Sequence, residues 1–268
     1  MTSGLPRLVA TDLDGTLLGS DGLVSKRTRS ALDSIRAHGV ELILVTGRPP
    51  RWIPPVLDAC AHEGFVIAAN GALVLTSDLG EIVDARLLLG AHALSFARAL
   101  RAVDPSVAFA AERESGFSHE QEYRPRWVDP NNTVMDLDPL LVDPLTKLLV
   151  RHEGLSADEL FDLASRVAGE HPVSVTHSST EGLLEVSASG VDKAAAVAWC
   201  ADRLGIEAGD VMAFGDMPND APMLEWAGRS YAVANAHPRA VEAAKSRTLS
   251  NDEDGVAVVL EQLVADYR

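Results

Sequence analysis

The sequence predicts an α/β fold in which a Rossmann-like parallel sheet core carries an inserted α+β domain. Near both ends of the chain, short apolar segments rich in β-branched residues alternate with amphipathic segments, which is the pattern of strands and helices around a parallel sheet. Some apolar segments, such as 41–45, contain hardly any polar residue, as strands covered on both faces require. The middle of the chain breaks this alternation, and 268 residues are enough for two domains.

The first third of the chain begins with this strand and helix alternation. Residues 26–38 predict a helix because Leu32 and Ile35 lie on one face and Gly39 ends the pattern. The elements expected up to residue 83 are a strand at 8–10, the helix at 26–38, strands at 41–45 and 65–69, and a hairpin over 73–83 that turns at Ser77, Asp78, Leu79 and Gly80.

The middle of the chain predicts an inserted domain over residues 84–187. Ser156 opens a helix there, because Glu159 lies three residues further on and completes a capping box. The elements expected in this domain are a helix after Ala91, a strand at 107–111, a polar stretch with several prolines at 112–143, a strand at 147–151, the capped helix, and strands at 173–177 and 183–187.

The last third returns to the alternating pattern, so residues 1–83 and 188–268 together predict one core domain. Ligands of such sheets bind beyond the carboxyl ends of the strands, and the motifs found there are therefore the candidates for function. The expected elements are a helix at 192–204, a strand at 211–214, a helix at 220–226, a strand at 231–234, and helices that begin at Pro238 and Gly255.

The composition argues against several classes of function. The chain has 23 Lys and Arg against 39 Asp and Glu, and this net charge of −16 disfavours nucleic acid and anionic membranes as partners. No apolar run approaches the roughly 18 residues that span a bilayer, and no signal-peptide pattern precedes the first strand. Cys60 and Cys200 form no zinc or disulfide pattern. We expect a cytoplasmic protein, either a monomer or a homodimer.

Two aspartates mark the end of the first strand. Asp12 and Asp14 leave the strand two residues apart and so point the same way, and Gly15 permits the sharp turn that follows. Carboxylates this close repel each other unless a cation lies between them, and hard oxygen ligands of this kind suit Mg²⁺. When the pair is taken alone, an Asx turn that merely ends the strand is the simpler alternative.

Three further motifs lie at strand ends or helix starts. Thr46, Gly47 and Arg48 follow the second strand, where a hydroxyl and backbone N–H groups can hold phosphate oxygens, although a plain turn also accounts for them. Lys193 begins a helix, where its charge opposes the helix dipole unless an anion offsets it; an exposed surface lysine is the simpler alternative. In the segment 215–220, Asp216 and Asp220 are expected at the same sheet edge as Asp12. The alternative is that this acidic segment only caps the next helix.

Taken together, these motifs resemble those of the haloacid dehalogenase-like superfamily of phosphotransferases, and specifically its Cof-type branch. The resemblance covers essentially the whole chain and keeps the order of the motifs. Ala194 departs from it, because the branch usually has Gly after the lysine. The matching segments are Asp-Leu-Asp-Gly-Thr-Leu-Leu at 12–18, Thr-Gly-Arg at 46–48, Asn-Gly-Ala at 70–72, Lys193, Gly-Asp-Met-Pro-Asn-Asp at 215–220 and Asn-Asp-Glu-Asp-Gly-Val at 251–256.

The resemblance implies a Mg²⁺-dependent phosphatase. Asp12 is expected to attack phosphorus and form an aspartyl-phosphate, while Asp14 protonates the leaving oxygen and later takes a proton from water. Thr46 and Lys193 are expected to bind the non-bridging oxygens as part of the catalytic set. The implied metal ligands are Asp12, the backbone carbonyl of Asp14, Asp216 and Asp220, which also holds Lys193. The implied phosphate- or substrate-binding residues are Gly15, Thr46, Gly47, Arg48, Asn70, Lys193 and Asn219.

The inserted domain resembles the α/β cap of the branch, which closes over the site and selects the substrate. The resemblance therefore implies that the partner is a small phosphorylated metabolite, such as a sugar phosphate or a phosphorylated cofactor. For the polar residues of the cap, an exposed loop is the simplest expectation. These residues are Arg113, His119, Tyr123, Arg124 and Arg126.

Other functions share parts of this pattern. A phosphomutase uses the same aspartate and returns the phosphate to a sugar, whereas a catalytically silent phosphosugar-binding module has no need to keep Asp14. A dehalogenase is disfavoured because Asp14 has no part in its chemistry. A receiver-type signalling module is much shorter and lacks a counterpart to 215–220.

Overall fold

The structure is a computed structural model that describes residues 4–77, 81–126 and 130–267. The chain forms two compact units, one consisting of Met1–Asp84 with Lys193–Arg268 and the other of Ala85–Asp192. They are named the core unit and the inserted unit below. None of the helices in the described ranges has both the length and the apolar character that crossing a membrane requires.

The elements are numbered in chain order. The strands are β1 Leu8–Asp12, β2 Glu41–Val45, β3 Phe65–Ala68, β4 Leu73–Thr76, β5 Ile82–Ala85, β6 Ala108–Arg113, β7 Gly116–His119, β8 Thr133–Val134, β9 Lys147–Ser156, β10 Val173–Thr176, β11 Glu181–Ala188, β12 Val211–Gly215, β13 Arg229–Ala232 and β14 Ser246–Arg247. The helices are α1 Lys26–Ala37, α2 Pro54–Cys60, α3 Gly90–Val103, α4 Leu137–Leu140, α5 Ala157–Ala168, α6 Lys193–Arg203, α7 Ala221–Trp226, α8 Pro238–Ala243 and α9 Gly255–Tyr267.

The core unit is built on one sheet with the strand order β14-β13-β12-β1-β2-β3-β4-β5. Neighbouring strands from β14 to β3 are parallel, and β4 runs antiparallel to β3. β1 lies in the middle, between β2 and β12. After β1 the chain adds β2 and β3 on one side of it, and after the inserted unit it adds β12, β13 and β14 on the other side. Such a switch point opens a crevice at the carboxyl ends of these three strands, where ligands of doubly wound sheets bind.

Helices cover both faces of the core sheet, which explains why its central strands are almost continuously apolar. On one face, Val9 of β1 packs in a cluster with Leu32 of α1 and Leu260 of α9. On the other face, Leu8 of β1 belongs to a second cluster with Val197 of α6. All five side chains are buried. Burial of each such side chain stabilises the fold by about 1.5–3 kcal/mol, so β1 is fixed from both sides.

The inserted unit contains a separate sheet with the order β10-β11-β9-β6-β7-β8. Its strands are antiparallel except for the β7 and β8 pair. Helices α3 and α5 contribute Phe96 and Leu160 to a cluster with Phe109 of β6. The predicted capping box is present, since Ser156 Oγ accepts the amide of Glu159 at 3.3 Å and the Glu159 carboxylate accepts the amide of Ser156 at 2.9 Å.

The predicted and observed elements differ in places. The strand expected at 231–234 lies at Arg229–Ala232, and the strand expected at 147–151 continues to Ser156. Part of the predicted hairpin turn, at 78–80, lies outside the described residues. The elements α2, α4, β7, β8 and β14, each at most 7 residues long, were not predicted.

The expectation of one exposed loop over the polar stretch of the inserted unit was wrong. Arg113 ends β6 and donates from Nη2 to the carbonyl of Leu140 at 2.6 Å. His119 ends β7, and both His119 and Tyr123 are buried. The reason is that β6 and β7 form a hairpin within the sheet, so side chains of this stretch pack against it. The remaining two residues, Arg124 and Arg126, are exposed as expected.

A buried histidine links the stability of the core unit to pH. His62 follows α2, its Nε2 lies 3.0 Å from the carbonyl of Phe65, and its Nδ1 has no partner. Burial lowers the pKa of His62 from 6.5 to about 4. The unfolded chain therefore binds a proton that the folded chain excludes, and stability falls as the pH drops from 6.5 toward 4.

We expect His62→Gln to reduce this loss of stability. A pKa difference of this size corresponds to about 3 kcal/mol of unfolding free energy between neutral pH and pH 4. Urea unfolding at a series of pH values measures the slope, which we expect to be shallower in His62→Gln than in the wild type. His38→Gln, at an exposed position, is the control. Equal slopes for the wild type and His62→Gln would contradict the prediction.

Candidate active site

The site begins where β1 ends. Asp12 is the last residue of β1 and is 5% exposed. The chain then turns back, because the carbonyl of Leu13 accepts the amides of Leu17 at 3.0 Å and Leu18 at 2.9 Å. Gly15 lies in this turn with a φ of +79°, and a Cβ on it would lie 2.3 Å from Oδ2 of Asp216. Only glycine therefore fits here, since any side chain would displace the aspartate carboxylate.

Lys193 joins two of the aspartates that the sequence singled out. It begins α6 and is 1% exposed. Its Nζ donates to Oδ1 of Asp12 at 2.6 Å and to Oδ1 of Asp220 at 2.6 Å. The alternative of an exposed surface lysine is therefore wrong. Lys193 is a buried ammonium with two carboxylate partners.

Asp220 is held from two directions. Its Oδ2 accepts the backbone amides of Asp216 at 3.0 Å and Met217 at 2.9 Å, while Oδ1 accepts from Lys193. Both carboxylate oxygens therefore already have donors. A Cβ on Gly215 would lie 2.5 Å from the Cβ of Asp220, so the close return of the chain also depends on glycine.

The acidic cluster is short of positive charge. Ligand atoms of Asp12, Asp216 and Asp220 lie within 4.8 Å of one another, and all three residues are buried. Burial raises the pKa of Asp12 well above its ordinary value despite the opposing effect of Lys193. Burial and the charge of Asp220 raise the pKa of Asp216 to about 7. A divalent cation with oxygen ligands fits this donor set, because its charge stabilises the ionised carboxylates that burial and mutual repulsion disfavour.

The ammonium of Lys193 stays charged in this environment. Burial alone lowers the pKa of Lys193, but the charges of Asp12 and Asp220 outweigh burial and raise the pKa above its ordinary value.

The carboxylate of Asp14 is not part of the acidic cluster formed by Asp12, Asp216 and Asp220. The sequence had assigned only its backbone carbonyl to the metal.

Thr46 and Arg48 lie at the end of β2. Thr46 is buried, and its Oγ1 accepts the amide of Arg48 at 3.0 Å. The Arg48 guanidinium contacts the carboxylate of Asp14, with Nε donating to Oδ2 at 2.8 Å and Nη2 to Oδ1 at 2.5 Å. This hydrogen bonding to Asp14 raises the pKa of Arg48. Gly47 lies between them with its backbone half-buried.

Asn70 and Asn219 form a buried amide pair. Asn70 has a φ of +56° after β3, and its Oδ1 accepts from Nδ2 of Asn219 at 3.0 Å. The other two amide atoms, Nδ2 of Asn70 and Oδ1 of Asn219, are buried without a partner. Buried polar atoms without partners are costly, so a donor and an acceptor remain here for a ligand.

The sequence did not predict several residues that fix this site. Thr16 donates from Oγ1 to Oδ1 of Asp216 at 3.1 Å. Asn235 donates from Nδ2 to the carbonyl of Gly15 at 2.8 Å, and its Oδ1 accepts the amide of Asn251 at 3.0 Å. Thr16 and Asn251 lie within segments that carried the resemblance, whereas Asn235 has no signal in the sequence. These contacts hold the turn after β1 in place.

The carboxylates and the buried lysine lie together at the carboxyl edge of a doubly wound sheet, where such sheets bind their ligands. Residues 9–260 match the family of haloacid dehalogenase-like hydrolases. The chain belongs to this family, in its Cof-type branch, and is a phosphatase that hydrolyses phosphoric monoesters. The predicted fold class, family and enzyme class are thereby confirmed.

Individual relatives resemble the chain over nearly its full length. It is 34% identical to YxeH of Bacillus subtilis (strain 168), over 96% of this chain and 98% of that protein. It is 29% identical to YcsE of the same organism, a 5-amino-6-(5-phospho-D-ribitylamino)uracil phosphatase, over 96% of each chain. The structure of SMU.1108c from Streptococcus mutans UA159 shares the fold with a TM-score of 0.83 at 22% identity, covering 97% of this chain and 99% of that one.

The contact between Gly15 and Asp216 gives a direct test of the geometry. We expect Gly15→Ala to lower kcat/KM by about a hundredfold, because the new Cβ displaces the Asp216 carboxylate by an ångström or more. Gly22 has a φ of +76° and open space around its Cα, so Gly22→Ala has the same backbone strain without the collision. We expect this control to lose stability only. Equal activity of the two variants would contradict the account.

Proposed function

We propose that the chain is a Mg²⁺-dependent phosphatase that hydrolyses a small phosphomonoester through an aspartyl-phosphate on Asp12. The observation that carries this proposal is the buried Asp12 carboxylate, placed at the switch point of the sheet and hydrogen-bonded to the Lys193 ammonium at 2.6 Å. A carboxylate nucleophile here lies where a doubly wound sheet binds its ligand. The charge of Lys193 reduces the repulsion between this carboxylate and the incoming phosphoryl group.

In the first step, an Asp12 oxygen forms a bond to phosphorus as the bond from phosphorus to the leaving oxygen breaks. Asp14 donates a proton to that oxygen, so the product leaves as an alcohol. In the second step, Asp14 takes a proton from water and the water oxygen attacks phosphorus. The bond between Asp12 and phosphorus breaks, which restores the carboxylate and releases inorganic phosphate.

The phosphoryl oxygens need donors throughout both steps. Lys193 supplies one, since an ammonium has three N–H bonds and two of them are directed to Asp12 and Asp220. The hydroxyl of Thr46 and the partnerless Nδ2 of Asn70 are the further donors proposed. Asn219 orients Asn70 through their amide hydrogen bond.

Mg²⁺ is the cofactor that the donor set favours. We propose Asp12, Asp216 and the backbone carbonyl of Asp14 as the residues that hold it, with Asp220 placed beside them by Lys193 and two backbone amides. When bound, the ion neutralises charge on the phosphoryl oxygens. Thr16 orients Asp216 for this role by its hydrogen bond to Oδ1.

We also propose that the inserted unit acts as the cap that selects among leaving groups. Every residue assigned to phosphoryl transfer above belongs to the core unit. The relative YcsE is named for a phosphorylated ribitylamino-pyrimidine. This supports a small phosphorylated metabolite as the class of substrate, either a sugar phosphate or a phosphorylated cofactor.

The nucleophile is tested by Asp12→Asn. This change keeps the shape of the side chain and removes its charge, so we expect turnover to fall by several orders of magnitude toward every ester, including activated aryl phosphates. Asp33→Asn on the exposed side of α1 is the control and should leave turnover unchanged. Phosphate release under saturating Mg²⁺ is the measurement. Substantial aryl phosphatase activity in Asp12→Asn would overturn the covalent mechanism.

The metal is tested by chelation. We expect activity to vanish in EDTA and to return with Mg²⁺, whereas Ca²⁺ should restore little because its larger and more flexible shell misplaces the reacting groups. Asp216→Asn should raise the Mg²⁺ concentration needed for half-maximal activity by at least about tenfold, which is 1.4 kcal/mol of binding free energy. Full activity in metal-free buffer would refute the assignment.

A further inference from the structure

The sequence placed Arg48 among the phosphate-binding residues, but its guanidinium is engaged elsewhere. Nε and Nη2 donate to the two carboxylate oxygens of Asp14 at 2.8 and 2.5 Å. This is a bidentate pair, the geometry that fixes both the position and the plane of a carboxylate. Asp14 is the residue proposed above as the proton donor and acceptor.

Stability does not explain this pair. The side chain of Asp14 is 56% exposed and that of Arg48 is 24% exposed. Ion pairs this open to solvent contribute little to stability. Without a partner, however, an exposed aspartate would occupy several rotamers, and a misplacement of about 1 Å in a catalytic group can cost about a hundredfold in rate. The pair therefore matters more for where the carboxylate lies than for how stable the fold is.

Arg48 is itself anchored to the end of β2. Its backbone amide donates to Oγ1 of Thr46 at 3.0 Å, and its Nη1 donates to the carbonyl of Trp52 at 3.4 Å. Trp52 lies in the short 3₁₀ turn Pro50–Trp52 that follows directly. Arg48 is thus held at its main chain by Thr46 and at its guanidinium by the carbonyl of Trp52, which fixes the group that contacts the half-exposed Asp14.

We propose that Arg48 is a positioning residue for Asp14 and not a phosphate ligand. This inference rests on the proposed function, since it needs Asp14 to transfer the proton. The two parallel N–H bonds from Arg48 hold the Asp14 carboxylate in one position and plane, and each of its oxygens keeps a second lone pair for the proton that it transfers. Lysine cannot reproduce this arrangement, because an ammonium offers no planar fork.

The experiment compares the first turnover of two esters by the Mg²⁺-loaded enzyme. One is p-nitrophenyl phosphate, whose leaving group departs without protonation, and the other is an alkyl ester such as glycerol phosphate. We expect Arg48→Ala to slow alcohol release at least about tenfold for the alkyl ester and less than about threefold for the aryl ester. Arg48→Lys should recover little, and added guanidinium ion should restore part of the alkyl rate of Arg48→Ala.

Two further measurements separate positioning from phosphate binding. In the double variant Asp14→Asn with Arg48→Ala, we expect the alkyl rate to match that of Asp14→Asn alone, because residues that act as a unit are not additive. Calorimetric binding of inorganic phosphate should weaken less than about threefold in Arg48→Ala. Arg27 makes a comparable bidentate pair with Glu261, with bonds of 2.9 and 2.6 Å, so Arg27→Ala is the matched control and should change neither quantity.

The outcomes distinguish this inference from the proposed function. If Asp14→Asn slows both esters equally in the first turnover, the acid role of Asp14 fails and the positioning role of Arg48 fails with it. If Asp14→Asn slows the alkyl ester selectively but Arg48→Ala slows both equally, only the inference is overturned. Additive losses in the double variant, or a larger loss of phosphate affinity than stated, would also overturn it.

Discussion

The ammonium of Lys193, shared between Asp12 and Asp220, is the interaction on which the rest of this site depends. Taking one ammonium and two carboxylates out of water is costly, and the two 2.6 Å hydrogen bonds offset that cost only while all three groups stay in place. The arrangement still leaves Asp216 in a cluster with excess negative charge. This excess of negative charge favours a divalent cation, and we propose that the ammonium of Lys193 also binds the phosphoryl group.

The scaffold supplies the rigidity that this interaction needs. Strand β1 is packed from both faces and delivers Asp12 at the sheet edge, while β12 delivers Asp216 beside it. Gly15 and Gly215 permit the close approach of the two loops that follow these strands. Packing and further hydrogen bonds preorganise these side chains, and such preorganisation is the source of much of enzymatic rate enhancement.

The sequence predicted the helices and strands whose apolar residues recur with a clear period, and the motifs at their ends. Such periodicity depends only on neighbouring residues and can therefore be read locally. Local patterns alone did not predict which other side chains of distant segments contact each other. The pairing of Asn70 with Asn219 spans 149 positions, and Asn235 reaches Gly15 across 220 positions, so neither leaves a local pattern. Arg48 was assigned to phosphate by resemblance, whereas its contact with Asp14 is a tertiary feature. The burial of Tyr123 likewise required the β6 and β7 hairpin, whose second strand is too short to predict.

The central claim is that Asp12 carries the phosphoryl group between two steps, and trapping that species tests it most directly. In Asp14→Asn, an aryl phosphate can still phosphorylate Asp12 because its leaving group needs no proton, but hydrolysis lacks its base. Rapid quenching followed by mass spectrometry should show a burst of one equivalent of aryl alcohol and a phosphoryl group on the peptide that contains Asp12. Linear alcohol release with no burst, or a phosphoryl group on another residue, would contradict the account.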